Sequence, residues 1–139
     1  MLRSLFALCA GLFAAMIAIT GVELANAKWL HPVPPGFDFR DPAQVQAFVA
    51  AMPTSALALV VAGWLLGAFA GGAVAGRLET RHPWLPAGLV GAFIAIGTLL
   101  NAQAVPHPAW VVATGTVLPI PLALLGASLV RMVWPAPGK

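Results

Sequence analysis

Charged side chains are scarce in this sequence. Its 139 residues include seven lysines and arginines and four aspartates and glutamates, so that only 8% of the chain is charged. A soluble domain carries about 25% charged residues, because they cover the surface that faces water. Hydrophobic residues make up 60% of this chain, and its mean hydropathy is +0.92. Its outer surface must therefore be apolar, which predicts a membrane protein surrounded by lipid.

Cysteine is nearly absent, since Cys9 is the only one. A single cysteine excludes a disulfide within the chain and excludes a CxxC redox pair. The pI near 10 raises the question of nucleic-acid binding. The basic residues are scattered and form no cluster, so we expect no nucleic-acid partner.

Long apolar segments dominate what remains. Each has about the 20 residues that a helix needs to cross a hydrocarbon core of about 30 Å. A backbone in lipid must satisfy its own hydrogen bonds, which favours helices. The sequence therefore predicts an all-α, single-domain transmembrane four-helix bundle over residues 1–139, with spans near 4–25, 54–76, 85–105 and 109–133.

The first apolar segment has a second interpretation. Ala25-Asn26-Ala27 follows the apolar run as an A-x-A cleavage site follows the core of a signal peptide. The apolar core is about 18 residues long, however, against the usual 7–15 of a signal peptide. Glu23 is also an uncommon residue so close to a cleavage site. We expect a retained first helix, with cleavage as the alternative.

Loop charges predict the orientation. Four spans place five basic residues on the side of the termini and two on the other side, and cytoplasmic loops carry the excess of Lys and Arg. Both termini are therefore expected in the cytoplasm. The two groups are Arg3, Arg77, Arg81, Arg131 and Lys139, against Lys28 and Arg40.

The outer loop, residues 26–53, combines two elements. The strap, residues 28–39 (KWLHPVPPGFDF), holds three prolines, which favour an extended path. Asp41 as N-cap, Pro42 at N1 and Gln44 at N3 predict a short helix over 42–52 with a capping box. An apolar stripe on that helix predicts that it lies in the membrane interface or over the bundle.

Glycines recur at four-residue spacing in the second span. Small residues at this spacing form a groove that another helix can approach closely. We predict helix packing, within the chain or between copies, and a substrate-lining stripe is the alternative. The glycines are Gly63, Gly67, Gly71, Gly72 and Gly76.

Two prolines, Pro119 and Pro121, lie near the middle of the fourth span. Each removes a helical hydrogen bond, so they predict a kink. The alternative is a broken helix of the kind that lines transporter sites.

Polar and ionisable residues gather at the outer level of the predicted bundle. An imidazole and carboxylate set of this kind can bind a transition metal, a haem or a polar headgroup. No pair has metal-ligand spacing along a helix, and capping of helices is the simpler interpretation, so we expect no metal and no other cofactor. The members of this outer polar set are Glu23, His31, Asn101, Gln103 and His107.

Four stretches carry a resemblance that spans nearly the whole chain: LHPVPPGFDF, DPAQVQAFVAAMP, AFAGGAVAGRL and PHPAW. Together they resemble an uncharacterised family of small four-transmembrane-helix bacterial inner-membrane proteins. The resemblance implies a location and no activity.

We therefore expect a non-catalytic accessory or structural membrane protein that acts through helix–helix contacts. Its partners would be the bilayer and either further copies of itself or a larger membrane complex. A small-molecule or ion transporter or channel is the first alternative, because of the glycine groove and the kinked span. A metal-, haem- or quinone-binding redox subunit that uses His31 and His107 is the second.

Overall fold

The structure is a computed structural model that describes residues 2–134. Its helices are α1 (Leu2–Ala25), which continues into a π-helical turn (Asn26–Leu30), α2 (Pro42–Ala51), α3 (Thr54–Leu78), α4 (Trp84–Ala104), α5 (Ala109–Val117) and α6 (Pro119–Val133). The described residues contain no strand. Four helical stretches are long and apolar enough to cross a membrane: Leu2–Leu30, Thr54–Leu78, Trp84–Ala104 and Ala109–Val133. The prediction of an all-helical chain with four such helices is confirmed.

Helix α3 is the centre of the bundle and contacts α1, α4, α5 and α6. Its glycines permit close approach on two sides. A Cβ atom at Gly71 would lie 2.6 Å from the carbonyl oxygen of Gly11 in α1. On the other side, a Cβ at Gly72 would overlap the backbone of Ala123, and one at Gly76 would overlap the Ala127 methyl group, both in α6. Both glycine grooves of α3 are therefore filled by helices of the same chain.

Gly63 and Gly67 extend the contact between α3 and α1. A Cβ at Gly67 would lie 2.6 Å from Cγ1 of Ile19, and one at Gly63 would lie 3.2 Å from Cβ of Val22. The small residues thus allow two apolar helices to pack without an intervening layer of side chains, as expected where lipid gives no hydrophobic driving force between helices.

The first span runs further than the sequence indicated, because helical structure continues to Leu30 instead of ending near residue 25. The backbone N–H of His31 donates to the carbonyl oxygen of Asn26 at 2.7 Å, the five-residue step of a π-helical turn. The Asn26 side chain is buried and donates to the carbonyl oxygen of Ala56 at 3.1 Å. This bond ties the turn to the start of α3.

Helix α2 begins at its capping residue. The Asp41 carboxylate accepts from the backbone N–H groups of Ala43 (2.9 Å) and Gln44 (3.4 Å). The Gln44 side chain does not close the predicted capping box on the Asp41 N–H. It donates to the Asp41 carboxylate at 3.0 Å and accepts from the N–H of Asp38 at 3.2 Å. These bonds fix the direction in which the strap enters α2.

The apolar side of α2 faces the bundle. Val49 and Met52 pack against a buried cluster of Leu57, Val61 and Val111. The Phe48 ring lies 4.9 Å from that of Phe37, measured between centroids. Helix α2 and the strap thus cover the bundle at the end where α3 begins, which we term the strap end.

The fourth candidate span is interrupted only at Leu118, between α5 and α6, where the backbone keeps right-handed helical geometry and the Leu118 N–H donates to the carbonyl oxygen of Thr114 at 3.1 Å. Pro119 is the first residue of α6 and is fully buried. A Cβ at Gly91 of α4 would lie 2.7 Å from the carbonyl oxygen of Pro119, so α4 passes directly beside the break. Pro121 lies in the first turn of α6 and is exposed.

Candidate functional site at the strap end

A cleft of about 250 Å³ opens between α1, α3 and α4. Its walls are mostly apolar, and its polar lining groups are Glu23, Trp64, Thr98 and Asn101. The remaining lining residues are Met16, Ile19, Phe93, Ile94 and Gly97. We call this the outer cleft, where outer means toward the strap end of the bundle.

The polar groups lie at one end of the outer cleft. Met16 is the central residue of the Leu2–Leu30 helix, and Ile94 is that of Trp84–Ala104. Glu23 and Asn101 lie about seven residues closer to the strap end, or about 10 Å at 1.5 Å per residue. The cleft therefore runs from an apolar floor at mid-helix to a polar mouth, and two helices independently give the same level for that mouth.

Glu23 is the only charged residue among the described residues that line the outer cleft. Its carboxyl group faces the side chain of Trp64, whose indole N–H is a hydrogen-bond donor. The hydroxyl of Thr98 donates to the carbonyl oxygen of Ile94 at 3.1 Å, so its proton is used within α4. Asn101 is exposed at the mouth.

His31 belongs to a neighbouring cavity of about 190 Å³ beneath the strap, which Glu23 also lines. Both ring nitrogens of His31 have partners. Nδ1 donates to the side-chain oxygen of Asn26 at 2.8 Å, and Nε2 lies 3.0 Å from the hydroxyl of Ser55. His31 thus connects the π-helical turn to the start of α3, and Asn26 and Ser55 are site residues that sequence reasoning missed.

His107 and Gln103 lie apart from these cavities. Nδ1 of His107 donates to the carbonyl oxygen of Val105 at 2.6 Å, and its ring centroid lies 6.4 Å from that of Trp64. Gln103 is exposed and lines neither cavity. The structure therefore brings Glu23 together with Asn101 and with His31, but it does not gather all five predicted residues. In residues 2–134, no three His, Cys, Asp or Glu side chains are grouped as metal ligands.

Replacing His31 by alanine should release the strap, because it removes two side-chain hydrogen bonds and leaves the Asn26 amide oxygen without its donor. Each such bond contributes about 1 kcal/mol. We expect faster hydrogen exchange in residues 28–39, measured by mass spectrometry, with exchange in α3 unchanged. His82→Ala is the matched control, since that side chain is exposed at the opposite end. Equal exchange in both variants would contradict this role for His31.

The opposite end of the bundle holds a second polar group that sequence reasoning missed. Glu79, only 3% exposed, accepts from the hydroxyl of Ser4 at 2.6 Å and from the backbone N–H of Arg81 at 2.8 Å. Nε of Arg3 donates to the carbonyl oxygen of Leu78 at 2.8 Å, and Nη1 of Arg131 donates to that of Glu79 at 3.4 Å. Glu79 thus links α1, α3 and the turn before α4. In the sequence it is visible only as a single acidic residue between Arg77 and Arg81.

Hydrogen bonds from Ser4 and the Arg81 backbone lower the pKa of Glu79 from 4.5 to about 2. A carboxylate whose pKa is lower in the folded chain stabilises the fold above its unfolded pKa and loses that effect as the pH falls. We expect the stability of the purified protein to decrease between about pH 4.5 and 2. In thermal-unfolding measurements over a series of pH values, Glu79→Gln should reduce this loss of stability at low pH, whereas Asp38→Asn should not change it. An unchanged loss in Glu79→Gln would exclude Glu79 as its source.

No known protein family, curated protein or solved structure matches this chain significantly.

Proposed function

We propose that this chain is a small multi-pass protein of the bacterial inner membrane, with a non-catalytic accessory role that it performs through helix contacts with other membrane proteins. The observation that carries the proposal is the exposed side of α1. Only 17% of the most apolar 18-residue stretch of the first long helix is buried in the bundle, against 44% of that of α3. Phe6, Phe13 and Ile17 are 64%, 70% and 59% exposed on this side.

The glycine grooves favour α1 over α3 as the contact surface. Both grooves of α3 are occupied by α1 and α6, so a partner helix would have to displace part of the bundle to use them. The outward side of α1 requires no such rearrangement. The exposed side chains there are apolar, as contact with either lipid or another apolar helix requires.

Photo-crosslinking in cells tests this role. A benzophenone amino acid at Phe13 or Ile17 should give one discrete adduct with another membrane protein. The same group at Leu89, which is exposed on α4, is the matched control and should give none. Crosslinks to lipid alone at all three positions would refute a protein contact through α1.

The loop charges support an orientation with both termini in the cytoplasm. In a Cys9→Ser background, single cysteines at Pro35 and at His82, both exposed, report the two ends of the bundle. A maleimide that does not cross membranes should label the Pro35→Cys chain in intact spheroplasts and the His82→Cys chain only after lysis. The reverse pattern would invert the orientation.

The interruption of the fourth span at Leu118, beside the buried Pro119, is the observation that favours a transporter as the second candidate, because interrupted helices line transporter sites. Proteoliposomes of the purified chain distinguish the two roles. An accessory protein should leave their permeability to ions and small amines unchanged. Flux above that of protein-free liposomes would instead support transport.

A further inference from the structure

We propose that the outer cleft binds an amphiphilic amine, with the apolar body of the ligand between α1 and α4 and its protonated amino group beside Glu23. This goes beyond the accessory role, and neither proposal depends on the other.

The size of the outer cleft limits the ligand. The volume of the outer cleft is about 250 Å³. It is slightly below the range of about 300–1,000 Å³ that is usual for small-molecule pockets. Met16, Ile19, Phe93 and Ile94 give the floor and walls an apolar character. A short alkyl chain or a single apolar ring system meets these limits.

The charge of the cleft lining determines the charge of the polar head group that the ligand carries. Glu23 supplies the only charge among the described lining residues, and apolar walls make an unpaired carboxylate unfavourable. A cation that binds there pairs with the carboxylate, whereas an anion would be repelled. The Trp64 indole presents its N–H donor to the Glu23 carboxylate, and Asn101 adds an amide oxygen that accepts hydrogen bonds.

The position of the mouth gives the ligand a route of entry. Glu23 and Asn101 lie about 10 Å from mid-helix, within about 5 Å of the edge of a hydrocarbon core about 30 Å thick. Met16 and Phe93 are 55% and 62% exposed on the sides of their helices. An amphiphile in the surrounding leaflet therefore reaches the cleft sideways, with its amino group already at the level of Glu23.

Two glycines provide a matched pair of variants. A Cβ at Gly97, which lines the outer cleft, or at Gly21, on the outward side of α1, would meet nothing within 4 Å. Gly97→Leu therefore adds a side chain at the cleft with its Cβ in open space. Gly21→Leu makes the same chemical change outside it. Glu23→Gln removes the charge of the mouth, and Asp38→Asn removes a charge from the strap.

The experiment uses the full chain in nanodiscs, labelled with 5-fluorotryptophan, and follows the ¹⁹F resonance of Trp64. Octylamine, octanol and octanoate serve as probes that share one apolar body. We expect a saturable shift of Trp64 with octylamine, about tenfold weaker binding of octanol, and no saturable shift with octanoate. Gly97→Leu should abolish the octylamine shift and Glu23→Gln should weaken binding about tenfold. Gly21→Leu and Asp38→Asn should bind as the unmodified chain does.

Three results would overturn the proposal. One is an octanoate shift equal to that of octylamine. Another is full octylamine binding by Gly97→Leu or Glu23→Gln. The third is a non-saturable shift that all the tryptophan resonances share, which would show partition into the lipid alone.

Discussion

Replacing Gly72 by alanine is expected to destabilise the bundle by about 3 kcal/mol, the upper end of what overpacking normally costs. The added methyl group would overlap the carbonyl group and the Cα atom of Ala123. These are backbone atoms of α6, so no side-chain rotation relieves the contact. Helix α6 must move away from α3 as a whole, and the neighbouring contact between Gly76 and Ala127 would be lost with it.

Gly97→Ala is the control for this prediction. It makes the same chemical change in a long apolar helix, at a position where the Cβ meets open space. We expect no loss of stability and a gain of up to about 1 kcal/mol from helix propensity. Unfolding by SDS from mixed micelles measures both variants. Equal stabilities would show that the close approach of α3 and α6 does not limit the fold.

Replacing Trp64 by alanine is expected to lower the free energy of unfolding by about 3 kcal/mol, because it leaves a large void at the junction of two core clusters. Trp64 packs against the cluster around Val90 and Ile94 and also against that of Leu57, Val61 and Val111. The indole packs directly against Gly115 of α5, since a Cβ there would lie 2.7 Å from Cε3 of the indole. The substitution also removes the indole N–H that faces Glu23.

The comparison for Trp64 is Trp29→Ala, since Trp29 is 78% exposed on the π-helical turn. We expect its removal to change the free energy of unfolding in SDS by no more than about 0.5 kcal/mol. A loss as large as that of Trp64→Ala would mean that the cost comes from removing any tryptophan and not from the void between the two clusters.

The four long helices were predictable from the sequence, because in lipid the polar backbone of a long apolar segment must satisfy its own hydrogen bonds. The start of α2 was also predictable, since Asp41 and Pro42 act locally. The π-helical turn was not, because it depends on Asn26 reaching Ala56 on another helix. Residues that depend on such distant partners leave no pattern in their own segment.

The outer polar set illustrates the same limit. The level of each residue along the bundle follows from its position in a span, and this placed Glu23 and Asn101 at one height. The direction in which each side chain points around the helix depends on which faces pack together. That packing brings Glu23 and Asn101 into one cleft, occupies His31 with Asn26 and Ser55, and leaves Gln103 outside.

The two-sided packing of α3 has a consequence for biosynthesis. Helices α1 and α3 are complete once residue 78 has been made, but α6 ends about 55 residues later, which takes about 3–11 s at about 5–20 residues per second. During that interval the groove at Gly72 and Gly76 is without the helix that fills it in the finished bundle. Docking of α6 is therefore a late step of assembly, and a chain interrupted before it would leave this groove unfilled.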